Sequence, residues 1–140
     1  MDDKHSEERK ADLFRNLLCD SRIGNDYIEL MNFKKGEVLF FNKPLGWTSF
    51  KVVGHARYHI CRRIGVKKLK VGHAGTLDPL ATGVMSVCTG KATKRIEEFQ
   101  YHTKEYVATL RLGATTPSYD LEHEIDATYP TGHITRELGE

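Results

Sequence analysis

The chain has 140 residues, 39% of them hydrophobic, and a formal net charge of +2. This is enough for one domain with a real core, and no apolar run approaches the roughly 20 residues that a membrane-spanning helix needs. Three cysteines, Cys19, Cys61 and Cys88, share no CxxC spacing, which argues against a disulfide framework and a thiolate zinc site.

Residues 1–32 are polar and acidic and lack the apolar core of a signal peptide, so the expected location is the cytoplasm. Leu13, Phe14, Leu17 and Leu18 have helical spacing, predicting a short amphipathic helix over 10–19 that Gly24 and Asn25 end. Residues 37–42 form an apolar run expected as a buried strand. A turn follows at 43–49, with Ser49 or Thr48 placed to cap a helix running to about residue 63. Its apolar face would use Phe50, Val53, Ala56 or the stem of Arg57, Ile60 and Ile64. Gly65 would close it.

Residues 68–71 are expected as a short strand and 84–89 as another, the latter broken by Gly90. Residues 92–99 read as a helix with Ile96 and Phe99 inward. Residues 105–112 alternate with period two, predicting a strand with Tyr106, Ala108, Leu110 and Leu112 on one face. A loop at 115–118 and a resumed strand over 119–126 complete the pattern. The class is therefore α+β, or mixed α/β. Cys61 is expected on a helix and Cys88 in a core strand.

Charge is unevenly spread. Thirteen of the 21 Lys and Arg, but only four of the 19 Asp and Glu, fall within residues 43–111. Such a basic middle beside acidic ends suggests a polyanion-binding face, with a solvated charged surface as the plainer reading. Other motifs fail. Gly90-Lys91 lacks both the earlier glycine and the following Ser or Thr of a phosphate loop. His55 and His59 have metal-ligand spacing but no Glu between them and no clear third ligand. Asp120, Glu122, Glu124 and Asp126 alternate as a solvated edge strand would.

Residues 72–84 carry the most information. They read Gly-His-Ala-Gly-Thr-Leu-Asp-Pro-Leu-Ala-Thr-Gly-Val, with one carboxylate, Asp78, among glycines and small residues. Pro79 biases Asp78 away from helical geometry. Asp78 has two readings from this pattern alone: a turn-former or cap, or a nucleophile or base held toward a substrate.

The ordered set Phe41-Asn42-Lys43-Pro44-Leu45-Gly46-Trp47-Thr48-Ser49, the loop from Gly72 to Gly83, Lys104-Glu105-Tyr106 and Leu112-Gly113-Ala114-Thr115-Thr116 resembles the TruB-type tRNA pseudouridine synthases. The resemblance spans about 33–126. It implies a pseudouridine synthase catalytic-domain fold, with a largely antiparallel or mixed sheet and flanking helices. It also implies the isomerisation of a T-loop uridine of tRNA (position 55 of the tRNA) to pseudouridine, without metal or organic cofactor. Asp78 becomes the nucleophile, Tyr106 is a second catalytic residue that stacks on the uracil and helps proton transfer, and His73 supports the flipped nucleotides. Lys43 and Pro44 shape the site wall, beside Thr76 and Leu77, while Lys91 and Arg95 contact RNA phosphates.

The expected partner is the tRNA T-arm, bound by a monomer with no membrane association. The expected organisation is an N-terminal extension over 1–32, of which 1–30 are expected to be dispensable and partly disordered, and over 33–140 the first part of a catalytic domain. The later strands of that domain, its arginine that pairs the catalytic Asp, and a PUA-type domain have no match. Little or no synthase activity of this chain alone is therefore the expectation. The alternative from another class is a non-catalytic RNA-binding or RNA-chaperone module on the same scaffold.

Overall fold

A computed structural model describes residues 31–140 together with Ser6, Glu8, Arg9, Leu17 and Leu18. The helix expected over 10–19, with its end at Gly24 and Asn25, falls largely outside the described residues, as does Cys19. Leu17 is nevertheless buried in the core, and Leu18 forms an isolated antiparallel bridge to Phe41. The extension thus supplies at least one core side chain.

The chain separates into two compact units, Met1–His102 and Thr103–Glu140. The first is built on a three-stranded antiparallel sheet of β1 (Val38–Lys43), β2 (Val71–Ala74) and β3 (Gly83–Thr89), with β3 in the centre. Period-two alternation turns Leu39 and Phe41 of β1 inward and leaves Phe40 and Asn42 outside. The same alternation carries Lys43 inward, where its exposure is 0%. A cation placed there needs partners, and finding them fixes the loops around it.

Helix α1 (Ser49–Ile64) packs Val52, Val53, Ala56 and Ile60 into the core. Thr48 is the cap, its hydroxyl accepting from the Lys51 amide, and Arg62 and Arg63 complement the dipole in the last turn. Gly65 closes the helix with φ 69°, as its position predicts. The expected inward Phe50 is instead 74% exposed, because Val52 takes the core-facing place. Cys61 lies on α1, and Cys88 is buried on β3, where burial pushes its thiol up.

The strand expected over 68–71 starts only at Val71, since Lys67, Lys68 and Lys70 stay in water. The helix expected over 92–99 is a 3-10 turn (Gly90–Arg95) leading into α2 (Ile96–Gln100), which packs against β2.

The second unit departs most from expectation. Residues 105–112 form no strand. Tyr106, Val107, Leu110 and Leu112 are all more than half exposed. Alternation marks a segment that can become a strand, but a strand needs a neighbour for its amides, and no described strand lies alongside. The pairing instead joins β4 (Ala114–Thr115) to β5 (Ala127–Thr128), with Ala114 opposite Thr128. No strand spans 119–126 either. Asp120 draws the chain into a turn, accepting from the Ser118 hydroxyl at 2.6 Å and the Glu122 amide at 2.9 Å. Such local side-chain bonds compete with a ladder. Asp126 accepts from the Thr115 hydroxyl, so the alternating acids line no edge strand. A last short helix, α3 (Arg136–Gly139), follows.

Candidate functional site

The loop between β2 and β3 projects from one end of the sheet, and Asp78 is exposed on it. Gly75 enters the loop with φ 95°, a conformation side chains disfavour. Next to it, His73 Nδ1 lies 2.7 Å from the Gly75 carbonyl. A carbonyl only accepts, so Nδ1 carries the hydrogen, and in the neutral ring Nε2 is left as acceptor.

The two residues flanking Asp78 are held from opposite sides. Ser49, buried at the start of α1, donates its hydroxyl to the Leu77 carbonyl at 3.1 Å and accepts from the Leu77 amide at 2.9 Å. On the other flank, the Pro79 carbonyl accepts from the Gly46 amide at 2.7 Å and from Lys43 Nζ at 3.2 Å. The Ala81 amide donates to the Asp78 carbonyl at 2.9 Å. Leu77 packs its side chain against the core. The carboxylate therefore extends from a backbone fixed before and after it, a preorganised placement for a reacting group.

Lys43 closes this arrangement. Besides Pro79, its ammonium donates to the carbonyls of Pro44 at 3.0 Å and Trp47 at 2.7 Å. All three of its protons are thereby satisfied. Burial pushes the ammonium below its usual 10.5, and the Asp78 carboxylate pulls it part of the way back. A cation thus stands within the field of Asp78, without ion-pairing to it among the described residues. The amino-acid order around Asp78 gives no hint of this neighbour.

Lys43, Pro44, Leu77 and Asp78 converge here, with Thr76 exposed beside Leu77 and His73 at the loop's entry. Lys91 does not join them. It follows the far end of β3, about 20 Å of strand away from the loop. Arg95 precedes α2, and its guanidinium pairs with Glu98 at 3.1 Å. Tyr106 belongs to the second unit and is 68% exposed. Ser49 and Gly46 are site-building residues that the sequence reading treated only as cap and turn. The signal lay in the pair Thr48-Ser49: once Thr48 caps the helix, the second hydroxyl is released to reach elsewhere.

The chain matches a family model described as "TruB family pseudouridylate synthase (N terminal domain)" over residues 61–139. It is 96% identical over 110 residues to a protein named tRNA pseudouridine synthase B from Bacteroides thetaiotaomicron, covering 79% of this chain and 46% of that one. A namesake from Flavobacterium johnsoniae is 55% identical over 107 residues, covering 76% and 47%. One from Chlorobium luteolum is 52% identical over 101 residues, covering 71% and 34%. The chain spans about half the length of most of these relatives, or less.

Proposed function

Because the chain belongs to the TruB family of pseudouridylate synthases, we propose that it carries the nucleophile-bearing part of an enzyme that isomerises a T-loop uridine of tRNA. The observation that supports this best is Asp78, an exposed carboxylate whose neighbours Leu77 and Pro79 are both hydrogen-bonded in place.

The reaction breaks the bond between the ribose C1′ and N1 of uracil, turns the base, and joins C1′ to C5. The hydrogen on C5 leaves as a proton and N1 gains one, so the change is an isomerisation with no net redox. A carboxylate that adds reversibly can carry it through a covalent intermediate. The target base must first leave the RNA stack, at a cost of a few kcal/mol that stacking and phosphate contacts offset.

In this reading Asp78 is the nucleophile, Tyr106 the stacking partner, and His73 a support for the flipped nucleotides. Pro44, Thr76 and Leu77 line the wall, with Lys43 holding it. Lys91 and Arg95 meet phosphates away from the reacting base. Residues 33–140 are the first part of the catalytic domain and 1–32 an extension. The partner is the T-arm, the protein works as a monomer, and the location is the cytoplasm. No helix among the described residues is long and apolar enough to cross a membrane.

The test is release of tritium from tRNA labelled at uridine C5. Wild-type chain is expected to release little of it, and Asp78→Asn to bind the same tRNA with no release at all. Equal release by both removes Asp78 from the chemistry.

A further inference from the structure

The outer face of α1 carries a second surface that the Asp78 loop does not use. Phe50, Lys51, Gly54, His55 and Tyr58 line an open concavity of about 530 Å³. Phe50 and Tyr58, 74% and 45% exposed, stand two helical turns apart, about 12 Å along the axis. Gly54 lies between them, and among the described residues nothing comes within 4 Å of where its Cβ would be. The two rings thus flank a floor of bare backbone.

The charge that α1 itself contributes has one sign. Helix α1 contains Lys51, Arg57, Arg62 and Arg63 and no carboxylate. Arg57 donates to the Val71 carbonyl, which leaves the other cations at the surface. Lys51 Nζ sits 4.3 Å from the Trp47 ring centre, and Arg62 bonds the Tyr58 hydroxyl at 2.9 Å. Exposed rings interleaved with cations, on a helix that itself carries no acid, suit bases that stack and phosphates that pair. The helix is also tied to the Asp78 loop through Ser49 and Leu77, so the stripe begins at the candidate site and leads away from it.

We propose that this stripe on α1 is a stacking platform for unpaired RNA nucleotides flanking the one presented to Asp78. The proposal rests on the RNA-modifying reading above and adds a binding surface to it. Exposed aromatic side chains find a function here, where isolated apolar exposure would need none.

The experiment measures the affinity of the 140-residue chain for an unmodified tRNA transcript by fluorescence anisotropy at one fixed salt concentration. Gly54→Leu fills the floor, and Phe50→Ala removes an exposed ring that supports no core. Each is expected to weaken binding about tenfold, within the range that one stacked base contributes. Asp78→Asn is expected to bind as wild type, and the melting temperature of Phe50→Ala to stay unchanged. If wild type binds and both variants bind equally well, the platform is refuted while the synthase reading stands. If wild type itself fails to bind tRNA, both fall. If the variants keep tRNA affinity but lose a concentration-dependent rise in mass seen for wild type, the face is a self-association surface and the proposal is overturned.

Discussion

Ser49 and Leu77, 28 residues apart, share two hydrogen bonds through one hydroxyl: Ser49 Oγ donates to the Leu77 carbonyl and accepts from the Leu77 amide. This reciprocal pair joins the first turn of α1 to the residue before Asp78. Together with the hold on Pro79, it converts a glycine-rich loop into a fixed mount for a carboxylate.

Ser49→Ala removes both bonds and leaves a part-buried amide and carbonyl without this partner. Loss of about 1–3 kcal/mol in urea unfolding is expected, with faster hydrogen exchange at the Leu77 amide. Unchanged exchange there would mean that the loop is held without Ser49.

Lys43→Met removes the ammonium's bonds to the Trp47, Pro44 and Pro79 carbonyls, while Pro44 keeps the Trp47 amide and Pro79 the Gly46 amide; the expected cost is about 1–3 kcal/mol at neutral pH. The pH dependence has a definite sign. The folded-state value of Lys43 lies below 10.5, so between that value and 10.5 the unfolded chain binds more protons. Stability of the wild type relative to Lys43→Met therefore rises as pH climbs through this window. Unfolding midpoints of the two proteins across alkaline pH measure it, and parallel curves would contradict the burial of an ammonium.

Asp120 titrates below 3.8, chiefly because the Ser118 hydroxyl bonds its carboxylate, with help from the Glu122 amide. What this turn contributes is present above 3.8 and is lost as pH falls through the lower folded-state value. A carbon-detected NMR titration should place the Asp120 midpoint below 3.8 and move it upward in Ser118→Ala. A midpoint that ignores Ser118 would show that the bond is absent in solution.

Binding to tRNA should weaken linearly on a log–log plot against salt. Lys91→Ala and Arg95→Ala should each lower the slope by about 0.7–0.9, the share of one phosphate contact. An unchanged slope for Arg95→Ala would indicate that its guanidinium stays with Glu98.

Local chemistry made much of this protein legible. The capping pair Thr48-Ser49, the Gly65 stop and the alternation of β1 each encode a structure within a few residues, so these elements stand where the sequence puts them. The Asp78 loop was legible as well, through its glycines and Pro79. By contrast, the alternation at 105–112 states only a capacity to pair. Whether a strand forms depends on a neighbour that periodicity cannot name, and here the segment stays exposed.

What the residues by themselves determined is the mixed α+β class, the order of the main elements of the first unit, and a loop that carries Asp78 among glycines and small residues. Only the tertiary structure decided that Lys43 is buried with its ammonium donating to three backbone carbonyls, that Ser49 grips Leu77, and that Phe50 faces outward beside Gly54. The physical reason is range. Caps and turns are settled by bonds a few positions apart, whereas these contacts join segments up to 36 residues apart, and their geometry exists only once helix and sheet have packed.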